Sequence, residues 1–258
     1  MSERPRFAYA QARLQARHGM RPTADEWRLA ESTAGLVPFL DALRRTSLRR
    51  HLAGIAPEQD PEAIERGFRA AWRDIVDEAA EWCPPEWREA LRWLRWLPDL
   101  PAAGHLVRGG KVPPWVRSDP VLRALAWDDP QRRREALAAL PIAPLCGGTD
   151  ESHRVADCWL DAWRARLPPR SAAESASLDA LVQELLDHRE AMRAAEADGR
   201  PLRTSLAARL ERRLRRSAGT VVALYCHLVL TGLELERARA GVLVRRILPA
   251  RMEGRSWA

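Results

Sequence analysis

The sequence predicts an all-α protein, a bundle of helices running from one end of the chain to the other. Three observations lead there. Apolar residues recur at helical spacing from Tyr9 to Arg108 and again toward the C-terminus. Ala, Leu, Arg and Glu dominate while β-branched residues are scarce, a composition that favours helix wherever packing does not decide. Proline and glycine fall mainly at the joints between the periodic stretches.

Taken in order, Tyr9 to His18 forms a first helix with Ala10 and Leu14 on one side, and Gly19 is placed to end it in the left-handed conformation. After Pro22, Thr23 is an N-cap with Glu26 at capping-box spacing, opening a helix that carries Trp27 and Leu29. Leu36 to Leu52 reads as a third helix, with Phe39, Leu40, Leu43 and Leu48 as its apolar set, and a loop follows to Asp60. Asp60-Pro61 is a helix start with proline in the first turn. Behind it Ile64, Phe68, Trp72, Ile75 and Ala79 form the cleanest amphipathic stripe in the chain, and Pro84-Pro85 breaks it.

Glu86 to Leu97 is read as a further helix with Trp87, Leu91 and Leu94 on one face; Trp93, Trp96 and Leu97 widen its apolar surface. Pro98 to Pro120 reads as a long connection. Val121 to Leu140 resumes helix in two pieces split at Pro130, and Pro141 to Thr149 is a loop. Glu151 to Leu167 aligns Val155, Trp159 and Trp163. Pro168 to Ser177 is a joint, and Leu178 to Ala197 has Leu181, Leu185 and Met192 on its apolar side. Gly199 and Pro201 precede a strongly basic helix, Leu202 to Ser217. Gly219 precedes the last, Thr220 to Leu248, and the tail from Pro249 is expected to be loose. The 258 residues are expected to form a single all-helical domain, with sub-modules of about 1–110, 111–200 and 201–258.

The net charge is +7 and the pI about 10.1. Of the basic residues one is Lys, Lys111, and the rest are Arg. Arginine's planar fork suits phosphate and carboxylate partners, while an Arg-rich, Ala-rich genome gives the same bias without any partner. Cys83, Cys146, Cys158 and Cys226 form no CxxC pair and read as reduced thiols of a cytosolic protein. Met1 to Arg17 has no apolar core of a secretory signal, and the longest apolar run, Val221 to Leu230, is too short to span a bilayer. Any membrane association is expected to be peripheral.

No phosphate-loop, dinucleotide, nucleophile-elbow or HExxH pattern occurs, and Gly109-Gly110-Lys111 lacks phosphate-loop spacing. His153 and Asp157, four apart beside Cys158, form the one pairing suited to a metal or a proton, and a helical surface pair is the simpler account. Asp187-His188-Arg189-Glu190 reads as a solvated face and His227 as a satisfied core histidine. No catalytic residue, cofactor or metal ligand is assigned.

The stronger signal is Arg203, Arg209, Arg212, Arg213, Arg215 and Arg216, with Glu211 the one acid among them. Nucleic-acid backbone, anionic lipid headgroups, an acidic protein or plain solvation all fit that face. The absence of aromatics there argues against stacking on single strands. Arg209, Arg212, Arg213, Arg215 and Arg216, with Trp93 and Trp96 as aromatic anchors off the main stripe, are the expected partner interface.

Several segments in order carry a resemblance to a known family: Tyr9-Ala10-Gln11-Ala12-Arg13-Leu14-Gln15-Ala16; Phe39-Leu40 with Leu43 and Thr46; Ile64-Glu65; Asp99 to Arg108-Gly109; and Glu234-x-Glu236 followed by Arg239. Together they resemble the C subunit of archaeal and bacterial V/A-type rotary ATPases, the counterpart of eukaryotic subunit d. The matches cover about the first 110 and the last 40 residues. Ala102 stands where the family usually has Asn, the chain is shorter than most members, and the middle third matches poorly.

The resemblance implies a funnel-like body of three related helical modules in pseudo-threefold arrangement. It implies a non-catalytic part that sits on the cytoplasmic face of a membrane ring, receives the central stalk and transmits torque for ion or proton transport. Partners would be stalk and ring subunits, with an anionic lipid surface nearby and nucleic acid disfavoured; no cofactor is implied. The alternative reading is a soluble helical adaptor or regulator binding nucleic acid or an acidic partner through the 203–216 helix.

Overall fold

The computed structural model describes residues 7–138, 152–194 and 199–247, apart from the side chains of 134, 137, 138 and 152–154. Every regular element among the described residues is helical, which establishes the all-α class. The chain divides into two compact units. One is formed by the described residues up to Arg88 together with those from Pro168 onward, the other by Glu89 to Leu167. Both divisions fall beside prolines, Pro84-Pro85 and Pro168, where the sequence reading put joints near 110 and 200. The last third of the chain packs back on the first, so both belong to one core.

The first unit opens with α1 (Ala8–Gly19), α2 (Ala24–Glu31), α3 (Leu36–Arg44) and α4 (Pro61–Trp82). The Thr23–Glu26 capping box is present in both directions, at 3.2 Å and 2.7 Å. Asp60 caps α4, its carboxylate accepting from Ala63 N–H at 2.6 Å with Pro61 in the first turn. The α4 stripe of Ile64, Phe68, Trp72, Ile75 and Ala79 is buried throughout.

Two expectations are corrected in this stretch. Gly19 does not take a left-handed conformation; α1 passes through it to Met20, at φ −93°, whose N–H returns to the Arg17 carbonyl. The helix expected over 36–52 ends at Arg44. There the Thr46 hydroxyl accepts from Leu48 N–H and starts a separate 3-10 turn, Ser47–Arg50, that still buries Leu48.

Where the chain passes from the first unit to the second, the helix expected over 86–97 is a short α5 (Arg88–Arg92) between 3-10 segments Pro85–Trp87 and Trp93–Asp99, because prolines stand close on either side. The long connection expected over 98–120 is not one. It holds α6 (Leu100–Val107) and α7 (Pro114–Ser118), each with proline in its first turn, where the missing N–H costs nothing. Gly109, at φ +79°, supplies the reversal after α6. A 3-10 turn at Arg123–Leu125, α8 (Pro130–Ala138) and α9 (Ser152–Ala165) follow. The loop expected over 141–149, with Cys146, lies outside the described residues, as does the tail from Pro249. Arg133, 4 % exposed, ties this unit together by donating to the carbonyls of Leu106, Gly110 and Trp127.

The chain returns to the first unit with α10 (Ala172–Ala194), α11 (Arg200–Arg216) and α12 (Val221–Ile247). The joint expected over 168–177 is shorter, because Ser171 and Glu174 form a second capping box that starts α10 early. Helix α12 is the axis of the unit. It packs against α1, α3, α4, α10 and α11, and the segment from Val221 to Leu228 is buried on every side. No helix among the described residues is long and apolar enough to cross a membrane.

Candidate functional site

Helix α11 seats Leu206, Leu210 and Leu214 on α12 at steps of four, which leaves its arginines on the flanks. Two of them are already engaged. Arg209 Nε reaches Glu184 Oε1 at 2.8 Å and Arg213 Nε reaches Glu184 Oε2 at 3.0 Å, so one α10 carboxylate holds both. Glu184 is 13 % exposed, which makes this a largely desolvated clamp. Glu211 is engaged as well: Arg21, between α1 and α2, donates to it at 3.0 Å and to the buried Glu234 of α12 at 2.6 Å.

What remains of the expected interface on this helix is Arg212, Arg215 and Arg216. All three are exposed, and they form no ion pair among the described residues. Their spacing of three and four puts them on one side of α11. The structure thus splits the basic run into a structural pair and a solvent-facing trio.

The two tryptophans fall apart in the same way. Trp93 is buried within its unit; its indole N–H donates to the Trp159 carbonyl at 3.0 Å and Arg166 lies 3.9 Å over its ring. That burial removes Trp93 from the surface expected to meet a partner. Trp96 is half-buried. Asp157 is exposed on α9 while the His153 side chain lies outside the described residues. Among the described residues no group of three or more His, Cys, Asp or Glu is placed to hold a metal ion. Cys226 is a buried thiol pushed up to about 12 by burial, and Cys83 donates to the Ala80 carbonyl at 3.1 Å. His227 is buried against Trp82, ring centroids 6.1 Å apart, and burial first and then the His18 and arginine charges push it down to about 4.

A second charged constellation escaped the sequence reading. Glu78, on the edge of the α4 stripe, is approached by three arginines: Arg17 in a short hydrogen bond, Arg50 at 3.1 Å and Arg13 at 3.8 Å. Burial alone would raise the Glu78 carboxyl; the Arg17 hydrogen bond and the Arg50 and Arg17 charges outweigh it and hold the group below its usual range. Arg50 Nε also donates to His51 Nε2 at 3.1 Å, and burial with the Arg50 charge pushes His51 down to about 4. Beside this cluster lies a groove of about 520 Å³ lined by Arg50, His51, Gln59, Arg66, Asp74 and Glu78 among others. The acid at the stripe's edge was visible in the sequence; the arginines that meet it come from two other elements.

Comparison of the chain with family models, curated proteins and solved structures returns no match.

Proposed function

We propose that the protein is a non-catalytic coupling subunit of a membrane-associated rotary ATPase-like complex, similar to the V/A-type C subunit, that links a central stalk to a membrane ring. One observation carries the reading: four of the five segments on which the resemblance rests, those in α1, α3, α4 and α12, are neighbours in the fold. Arg239 of α12 forks onto Glu65 at the head of α4, Nε to Oε2 at 2.7 Å and Nη2 to Oε1 at 2.5 Å, and Nη1 reaches Glu236 at 2.9 Å. Glu234 holds Arg21, and α1, which bears the opening segment, packs on both α4 and α12. Tyr9, the aromatic of that opening segment, is 62 % exposed and free to meet a partner subunit. The reading assigns no reaction to the chain and places it on the cytoplasmic face of the membrane.

The test is purification of the tagged protein from native membranes in mild detergent, with mass spectrometry of what accompanies it. Stalk and ring subunits are expected, and Tyr9→Ala should lose them while keeping its far-UV spectrum. Recovery of an unrelated complex would overturn the proposal.

A second reading rests on the solvent-facing trio of α11: an adaptor that docks an acidic protein or a nucleic acid through Arg212, Arg215 and Arg216. A salt titration of duplex binding tests it. Affinity should fall steeply with salt and vanish when the three become glutamine. Binding indifferent to salt or to the substitutions removes this reading.

A further inference from the structure

We infer that the groove beside Glu78 is a binding site for a phosphate-type dianion. Three guanidinium groups, from Arg13, Arg17 and Arg50, converge on the single Glu78 carboxylate. Three positive charges against one negative leave an excess of two. The other charges lining the groove, Arg66 and Asp74, offset one another, and His51 is neutral at physiological pH. A doubly charged oxyanion is therefore the ligand that balances the cluster; a monocarboxylate leaves it one charge short. Arginine forks match tetrahedral oxyanions in geometry as well as in charge.

Access and polarity agree with this. Arg50 and Glu78 both line the groove, and the Arg50 side chain is 38 % exposed. Arg13 and Arg17 do not line it but reach the same carboxylate from α1. Burial chiefly, with smaller contributions from the Arg17 and Arg13 charges, keeps the Arg50 guanidinium below its ordinary value although Glu78 acts to raise it. Gln59 also lines the groove, its amide held by the Ala56 N–H and the Gly54 carbonyl. This site stands independently of the coupling role, because it rests on residues outside the α11 face and the Glu65–Arg239 pair.

The phosphate group has two possible sources, a soluble phosphate ester or a phospholipid headgroup. The experiment uses the full chain. Thermal unfolding is followed in sodium phosphate against sodium chloride at matched ionic strength, and flotation is run with vesicles of phosphatidylcholine carrying phosphatidic acid. Phosphate should raise the unfolding midpoint saturably. Arg50→Gln should weaken binding roughly tenfold, the order of one charge-assisted hydrogen bond. Glu78→Gln, which removes the internal competitor, should strengthen it, a result that a purely structural cluster does not give. Arg50→Lys serves if Arg50→Gln does not fold, and should bind more weakly because the fork is lost. Flotation competed by free phosphate and weakened in the Arg50 variant assigns the site to a headgroup. Phosphate binding with flotation unaffected by that variant assigns it to soluble esters. The inference is overturned if no saturable phosphate effect appears in the wild type and Glu78→Gln, or if the effect persists unchanged in the Arg50 variants.

Discussion

Arg245 of α12 donates through both Nε and Nη2 to the backbone carbonyl of Thr33, at 3.1 and 2.7 Å. The same guanidinium reaches the Glu31 carbonyl at 3.0 Å and lies 4.1 Å over the Phe39 ring. One side chain thereby satisfies carbonyls left over at the end of α2, which the helix itself cannot serve. Arg245→Ala should cost about 1–2 kcal/mol in urea unfolding, since it loses hydrogen bonds to part-buried carbonyls as well as packing. Arg245→Lys should recover only part of that, because an ammonium cannot span both carbonyls and cover the ring.

Close approach makes a second prediction at Gly241. A methyl group there would stand 2.4 Å from the Phe39 ring edge, so α12 sits against α3 only because the position lacks a side chain. Gly241→Ala should destabilise the protein by about 1–3 kcal/mol through overpacking. Gly54→Ala, with nothing within 4 Å, is the control and should stay within about 0.5 kcal/mol of the wild type in the same measurement.

The two halves of the α11 arginine run should behave oppositely. Replacing Arg209 and Arg213 by alanine leaves Glu184 desolvated without its partners, and should lower stability by about 2 kcal/mol. Replacing Arg212, Arg215 and Arg216 by glutamine should shift it by no more than about 0.5 kcal/mol. Chemical denaturation of the two variants side by side decides the matter; equal losses would refute the division.

Acid should act through His51 and His227. Both are held near 4 in the folded protein, below the ordinary 6.5, chiefly by burial. Between those values the unfolded chain binds the proton and the folded one does not. Stability is therefore full above about pH 6.5 and falls as the pH drops toward 4, by at most about 1.4 kcal/mol per pH unit for each histidine. A denaturation series from pH 7.5 to 4.5 should show this slope, and His51→Gln with His227→Gln should flatten it.

Local signals were readable from the chain in proportion to how local their cause is. The Thr23–Glu26 box, the Asp60-Pro61 start and the five-residue stripe of α4 each depend on residues within a few positions, and they are present as read. The stretch 98–120 reads as a connection because proline in isolation signals a break, whereas Pro101 and Pro114 each stand in the first turn of a helix. Helix α10 starts earlier than its apolar periodicity indicates because Ser171 and Glu174 cap it outside the apolar stripe. The charged pairings were out of reach for a different reason. Glu65 meets Arg239, Glu184 meets Arg213, and Glu78 gathers arginines from α1 and the 47–50 turn, across separations that no periodicity encodes. With Arg209 and Arg213 assigned to Glu184, and Trp93 enclosed in its own unit, only part of the interface expected from the sequence stands at the surface.

The position of α12 also constrains how the protein is made. Helices α1, α3 and α4 leave the ribosome first, with Leu14, Phe39 and Ile64 facing outward until the final helix arrives to cover them. At ordinary rates of translation that interval lasts about ten seconds or more. Throughout it the nascent chain carries apolar surface that still lacks its cover, so a chain truncated before residue 221 is expected to expose that surface permanently.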